Sequence, residues 1–389
     1  MEESEILTCD ANNLYMASEK SISSSPKKSM TKQFALHRLD EINRAQSELH
    51  NRTWKLETLK PFVLRERGHI RKIQGNTPYD RMIMHSYIDN CLLPILSPYI
   101  IYDNYASQEG KGTSLARQRF ADFLHREYRK NGNNKFYVLL MDFSKYYDNI
   151  RHDKLYDYVM QYLPHEEFHE FMLSAILDSF KQDVSWMTDE EYQQRLNTKY
   201  VGLDHIDDKA LGLKYMSKSI NIGNPVAQIF SIFFPTRIDN YCKIIKSIKS
   251  MGRYQDDIFI MHNNKSFLKE LVSEIRDICN QMGIFINVKK TKICRVDHAF
   301  TWLHHQYRLS NSGHLYENLC SDSVTREKRK LKKQKKLLDD GVMEYIKIQN
   351  SFKSWIGANK KFLSRNQYSS ICDLYNSLFI NDWRYGYAN

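Results

Sequence analysis

Apolar positions along this chain fall into blocks that mark its elements. Residues 135–143, KFYVLLMDF, form an almost unbroken apolar run, the pattern of a central strand covered on both faces. Residues 252–261, GRYQDDIFIM, read as a strand pair, with Ile258, Phe259, Ile260 and Met261 apolar and two acids, Asp256 and Asp257, set directly before them. Residues 265–283 show the helical period, and Gly283 supplies a stop. Residues 34–49 and 154–163 also read as helices. Residues 223–248, GNPVAQIFSIFFPTRIDNYCKIIKSI, read as a turn feeding one long buried helix, with Pro225 in its first turn, where a missing N–H costs little. Short strands are expected at 284–288 and 299–308, and helices from 321 to 389. Residues 1–60 carry Ser and Lys clusters and read as an extension whose order the pattern leaves open. Residues 61–130 mix basic positions with helix-like periodicity, and 180–216 are polar and irregular, which suggests an insertion. No internal repeat is visible. The expectation is an α+β chain with a sheet in the middle and helices at both ends.

Composition narrows this picture. A chain of 389 residues with 42% apolar content is globular and long enough for two or three sub-domains. It contains no apolar run of the ~18 residues a membrane span needs. Its acidic start, MEESEILTCD, lacks the order of a signal peptide, so a cytoplasmic protein with no membrane partner is expected. Seven scattered cysteines without a CxxC read as reduced thiols. The net charge of +11 favours a polyanionic partner.

Two adjacent acids in an apolar strand pair are costly unless a cation compensates them. Magnesium, which takes one or two carboxylates plus phosphate oxygens and water, is the natural compensator. A further acid, Asp142, ends the 135–143 run. If that run pairs with the 252–261 hairpin, the three carboxylates converge. Such a set suits two ions ~3.5–4 Å apart and an in-line phosphoryl displacement.

At this point the sequence resembles the reverse transcriptases. YQDD, 254–257, is similar to their YxDD box, and DFSKYYDNI, 142–150, to the first palm motif. RKIQGNTPYDR, 71–81, resembles the fingers segment that ends in an Asp-Arg pair. GKGT, 110–113, resembles the turn after it; a Walker reading fails there, because Tyr105 stands where the P-loop needs its first glycine. IGNPVAQIF, 222–230, resembles the second palm motif, INVKKTKI, 286–293, the fourth, FTWLHH, 300–305, the primer grip, and SFKSWIG, 351–357, the thumb. Motifs in this order over ~290 residues make a specific signal, where one alone would be weak.

The resemblance implies a right-hand polymerase fold: a 1–60 extension, fingers at 61–134, a palm at 135–308 with a small antiparallel sheet backed by helices and an insertion near 180–216, and a helical basic thumb at 309–389. It implies RNA-templated DNA synthesis from deoxynucleoside triphosphates with two Mg2+ ions, or Mn2+. Asp142 and Asp256 would be the main metal ligands, with the Phe143 carbonyl assisting and Asp257 in support. Tyr147 would be the steric gate against a ribose 2′-hydroxyl. Arg71 and Lys72 would hold the triphosphate, with Arg65 and Arg67 able to substitute, and Gly223 and Gln228 would line the nucleotide site. Lys290 would protonate departing pyrophosphate, offset phosphate charge, or stand as a plain surface lysine. The basic run 326–336, with Arg326, Lys328, Arg329, Lys330, Lys332 and Lys333, would track an RNA or hybrid backbone.

Ile222 stands where many relatives carry Gln, and Ala227-Gln228 replaces Ser-Pro. That pattern is similar to bacterial phage-defence and diversity-generating-element enzymes. It implies anti-phage defence with a dedicated non-coding RNA, and mutagenic diversification as runner-up. Template-independent nucleotide addition and a catalytically idle RNA-binding scaffold are the remaining readings. A homo-oligomer or a partner protein is compatible with all of them.

Overall fold

The computed structural model describes residues 2–57, 62–66, 69–73, 75–199 and 212–380, with the side chains of 65–66 and 69–72 outside that description. Four helices open the chain: α1 (Glu3–Cys9), α2 (Ala11–Ser23), α3 (Ser29–Leu36) and α4 (Arg38–His50). The antiparallel hairpin of β1 (Phe62–Glu66) and β2 (His69–Ile73) follows. Next come α5 (Pro78–Tyr87), α6 (Leu93–Leu96), α7 (Thr113–Asn131) and β3 (Tyr137–Met141). The middle of the chain holds α8 (Tyr146–Asn149), α9 (His152–Met160), α10 (Glu167–Asp178), β4 (Gln182–Asp183), α11 (Asp189–Asn197), β5 (Tyr215–Met216), α12 (Pro225–Phe233) and α13 (Thr236–Asn240). Then come β6 (Met251–Tyr254), β7 (Asp257–His262), α14 (Lys265–Met282), β8 (Lys292–Arg295), β9 (Phe300–Trp302), β10 (His305–Leu309) and β11 (Leu315–Leu319). Helices α15 (Ser321–Asp339), α16 (Tyr345–Asn359) and α17 (Arg365–Tyr375) close it. No described helix is long and apolar enough to cross a membrane.

The chain divides into two compact units. The first comprises Met1–Arg119, Leu139–Ile260 and Ser266–Lys292. Its central helix is α5, which buries Tyr79, Met82, Ile83, Met84 and Tyr87 and packs against α1, α2 and α12. The Thr77 hydroxyl caps α5 by accepting from the Asp80 N–H, and Pro78 occupies its first turn. The sequence pattern leaves the order of residues 1–60 open; residues 3–50 form α1–α4, because Leu14, Ala17, Ile42, Ala45 and Leu49 are buried at helical spacing. The Ser-Lys cluster merely ends α2 and makes the turn after it.

Two further expectations need correction. Residues 223–248 are not one helix: α12 ends at Phe233, because Pro235 has no N–H to continue the ladder, and α13 and a π-helical turn (Tyr241–Ile245) follow. Residues 284–288 form no full strand, only a bridge of Ile286 to Phe143. Within the insertion, β4 and β5 pair and α11 covers Val184, Met187 and Met216; residues 200–211 lie outside the described ones.

The second unit comprises Phe120–Val138, Met261–Lys265 and Ile293–Asn389. Strands β11, β10 and β9 form a sheet in that order, and Phe120 stacks on Trp302 at 4.6 Å. Helices α15, α16 and α17 share a core of Leu331, Leu338, Ile348, Phe352, Ile371 and Tyr375, in which Phe352 and Tyr375 stack at 4.1 Å.

Candidate active site

The strand order β6-β7-β3-β8 sets the end of β3 beside the β6–β7 hairpin. Asp142 follows β3 directly, Asp256 lies in the hairpin turn, and Asp257 begins β7 opposite Tyr254. The turn is tight, and Gln255 adopts a left-handed φ of 57°. What holds it is Arg253. That fully buried guanidinium pairs with the buried Asp239 (2.6–3.0 Å), and donates to the carbonyls of Ile232 (2.7 Å) and Gln255 (3.0 Å). Removing one partner of such a pair costs on the order of 3–5 kcal/mol. Gly252 is required beside it: a Cβ there would meet the Phe259 and Tyr105 rings at 2.9 Å.

Asp142 is nearly buried. Its carboxylate accepts from Lys290 Nζ at 2.7 Å and from Asn287 Nδ2 at 3.2 Å. Backbone pairing sets this up. Ser144 N donates to the Phe285 carbonyl, and Asn287 N to the Asp142 carbonyl, each at 2.7 Å. The turn at 287–291 then delivers Lys290. Asp257 is pushed up to about 7, first by desolvation and then by the charges of Asp256 and Asp142, with Lys290 pulling the other way. Burial opposes the charge on Lys290, but its bond to Asp142 and the charges of all three acids hold its ammonium above the usual lysine range. Asp257 and Lys290 both feel the charges of Asp142 and Asp256, so the four side chains form one electrostatic cluster of three acids and one base. Among the described residues no three His, Cys, Asp or Glu side chains already converge as a ligand cage. The donor set, carboxylate oxygens of Asp142, Asp256 and Asp257, suits a hard divalent cation, for which these residues are the candidate ligands.

Tyr147 is half-buried near the start of α8, and its hydroxyl donates to Ser231 Oγ at 3.0 Å. Gly223 has φ 109°, which only glycine takes without strain. Asn224 caps α12, its side chain accepting from Val226 N and Ala227 N. Gln228 is exposed one turn into α12, and its carbonyl accepts from Ser231 Oγ.

The backbone of Arg71 and Lys72 lies on β2, opposite Leu64 and Val63; their side chains are outside the described ones. Helix α15 divides the basic run. Arg326 donates to Ser323, Lys328 to Ser370, and Lys330 to Glu327 and Ser351. Arg329, Lys332 and Lys333 are exposed, as is Lys336, which completes the i, i+3, i+4, i+7 face opposite the buried Val324, Leu331 and Leu338. Lys336 was within the basic run but not singled out by sequence. Asn287, Arg253, Ser231 and Gln255 were also missed. The signal for Arg253 was present: a lone arginine within an apolar strand must be paired when buried.

A small sheet backed by helices, with one acid in a hairpin turn, a second opening the strand after it and a third just past the adjacent strand, fits a right-hand polymerase fold in an α+β chain. Residues 64–307 match the family model described as reverse transcriptase (RNA-dependent DNA polymerase), and the chain belongs to that family. No curated protein matches it. Among solved structures it is similar to the apo telomerase of Candida tropicalis truncated from its C-terminal domain, at 12% identity over 72% of this chain and 60% of that one, with a TM-score of 0.46. It is also similar to Candida tropicalis telomerase in complex with a TWJ fragment of telomeric RNA, at 12% identity over 70% and 48%, with a TM-score of 0.44. The chain thus spans less than two thirds of the length of either.

Proposed function

We propose that the protein is an RNA-directed DNA polymerase. The observation that carries this is the cluster of Asp142, Asp256, Asp257 and Lys290 in a chain of the reverse transcriptase family. Asp142, Asp256 and Asp257, with the Phe143 carbonyl, would hold two Mg2+ ions, with Mn2+ an alternative. Bound there, the ions lower the cost of forming the attacking oxyanion and of releasing pyrophosphate. In the reaction the primer 3′-oxygen bonds to the α-phosphorus, the bond from that phosphorus to the α–β bridging oxygen breaks to release pyrophosphate, and the 3′-hydroxyl proton passes to solvent water. Asn287 and the β3–β7 pairing orient Asp142. Lys290, on a mobile four-carbon stem, leaves Asp142 as phosphates enter and meets the pyrophosphate charge. Tyr147 fills the space of a 2′-hydroxyl, Gly223 and Gln228 line the nucleotide, and Arg71 and Lys72 hold the triphosphate.

On this reading residues 61–134 are fingers, 135–308 palm and 309–389 thumb. The phosphate-tracking face of the thumb is Arg329, Lys332, Lys333 and Lys336; Arg326, Lys328 and Lys330 serve chiefly to bind α15 to itself and its neighbours. The partners are an RNA template, the DNA product and deoxynucleoside triphosphates. The Ile-Gly-Asn…Gln pattern at 222–228 supports a bacterial defence role with a dedicated non-coding RNA. The test is extension of a DNA primer on RNA with Mg2+ present or chelated. Metal-dependent, template-directed DNA is expected; no extension on any primed RNA would refute the reading.

A further inference from the structure

We infer that the ring of Tyr147 is fixed by a hydrogen-bond relay through Ser231 and Gln255, which makes these two residues determinants of nucleotide-sugar selectivity. The inference rests on the reading of Tyr147 as the sugar gate.

The relay runs in one direction. Tyr147 donates its hydroxyl proton to Ser231 Oγ at 3.0 Å, with Gln255 Oε1 3.4 Å away. Ser231, buried on α12, has one proton to give, and it is shared between two acceptors in reach, Gln255 Oε1 (2.9 Å) and the Gln228 carbonyl (2.7 Å). Gln255 Nε2 donates onward to Ser107 Oγ at 3.0 Å. The Gln255 amide suits this position because its oxygen accepts from Ser231 while its nitrogen donates to Ser107. The relay therefore links the tyrosine, α12, the acidic hairpin turn and the 105–112 loop.

Both middle members of the relay are anchored through their backbone carbonyls. Gln255 sits in the left-handed conformation that Arg253 clamps through its carbonyl. The Ser231 carbonyl accepts from Tyr146 at 2.9 Å, and the Tyr146 ring meets Tyr147 edge-on at 5.8 Å. A half-buried tyrosine would otherwise turn about two side-chain bonds. Shape alone rejects an added hydroxyl weakly, because a soft pocket yields. A ring tethered at its tip as well as its base cannot yield. Ser231 and Gln255 are positioning residues here, acting through the tyrosine.

The experiment measures kcat/KM for deoxy- against ribonucleoside triphosphates with Tyr147→Phe, Ser231→Ala and Gln255→Met. Each should lower discrimination about two- to tenfold, the effect of one hydrogen bond, by raising ribonucleotide use. The Tyr147→Phe, Ser231→Ala double variant should be no worse than Tyr147→Phe, because both break one link. A purely structural role would depress both substrates alike and leave the ratio unchanged, which would overturn the inference. So would wild-type discrimination in Tyr147→Phe, or full additivity in the double variant. Tyr147→Ala separates the failures. Lost discrimination there with an unchanged Tyr147→Phe removes the relay and keeps the gate. Unchanged discrimination in Tyr147→Ala removes both.

Discussion

At the scale of single residues, the site is governed by negative charge that the fold concentrates beside a single lysine, Lys290. Asp142 carries its own counter-ion in Lys290, while Asp257 is pushed up to about 7, first by burial and then by the charges of Asp256 and Asp142. Tyr147 carries the sharpest residue-level prediction. Shrinking it to Val removes the ring and should raise ribonucleotide incorporation by far more than loss of its hydroxyl alone. Competition between labelled deoxy- and ribonucleotides measures this, and an unchanged ratio would move the gate elsewhere. Asp142 and the Asp256–Asp257 pair were legible in the sequence because acids beside apolar strands are conspicuous. Ser231 and Gln255 were not. Their partners come from segments far apart in the chain, and no local pattern marks a serine on a buried helix as a relay.

Elements show the same division. Helix α15 was legible as basic, but sequence composition does not say which cations are already used. Geometry does: Lys328 and Lys330 hold Ser370 and Ser351, while Arg329, Lys332, Lys333 and Lys336 face outward. Neutralising Arg329, Lys332 and Lys333 together should flatten the salt dependence of nucleic-acid binding by about 0.7–0.9 log units per lost contact. Neutralising Lys328 should instead lower the melting temperature with little change in that slope. Titrating binding against salt distinguishes the two.

Helix α5 makes a different prediction. Asp80 is fully buried, and burial raises its carboxyl to about 6 despite bonds from Thr77 and Trp54. The folded value lies above the unfolded one, so its contribution to stability is complete below about pH 4 and is lost as pH rises through about 6. The total is on the order of 3 kcal/mol at most. Denaturation across this range should show the decline, and Asp80→Asn should flatten it.

At the scale of the whole molecule, the α+β class and the central strands followed from periodicity, because continuous burial demands continuous apolar sequence. The break at Pro235 was written in the sequence but outweighed by the apolar pattern around it. Helix α2 escaped because the Ser- and Lys-rich stretch at its end hides a narrow buried stripe of Leu14, Ala17, Ser18 and Ser21. The proposed polymerase rests on one cluster, and one substitution tests it. Asp256→Asn preserves size and removes a charge. On primed RNA with Mg2+, it should lower DNA synthesis by several orders of magnitude while RNA affinity and melting temperature stay near wild type. Near-normal synthesis by Asp256→Asn would contradict the account.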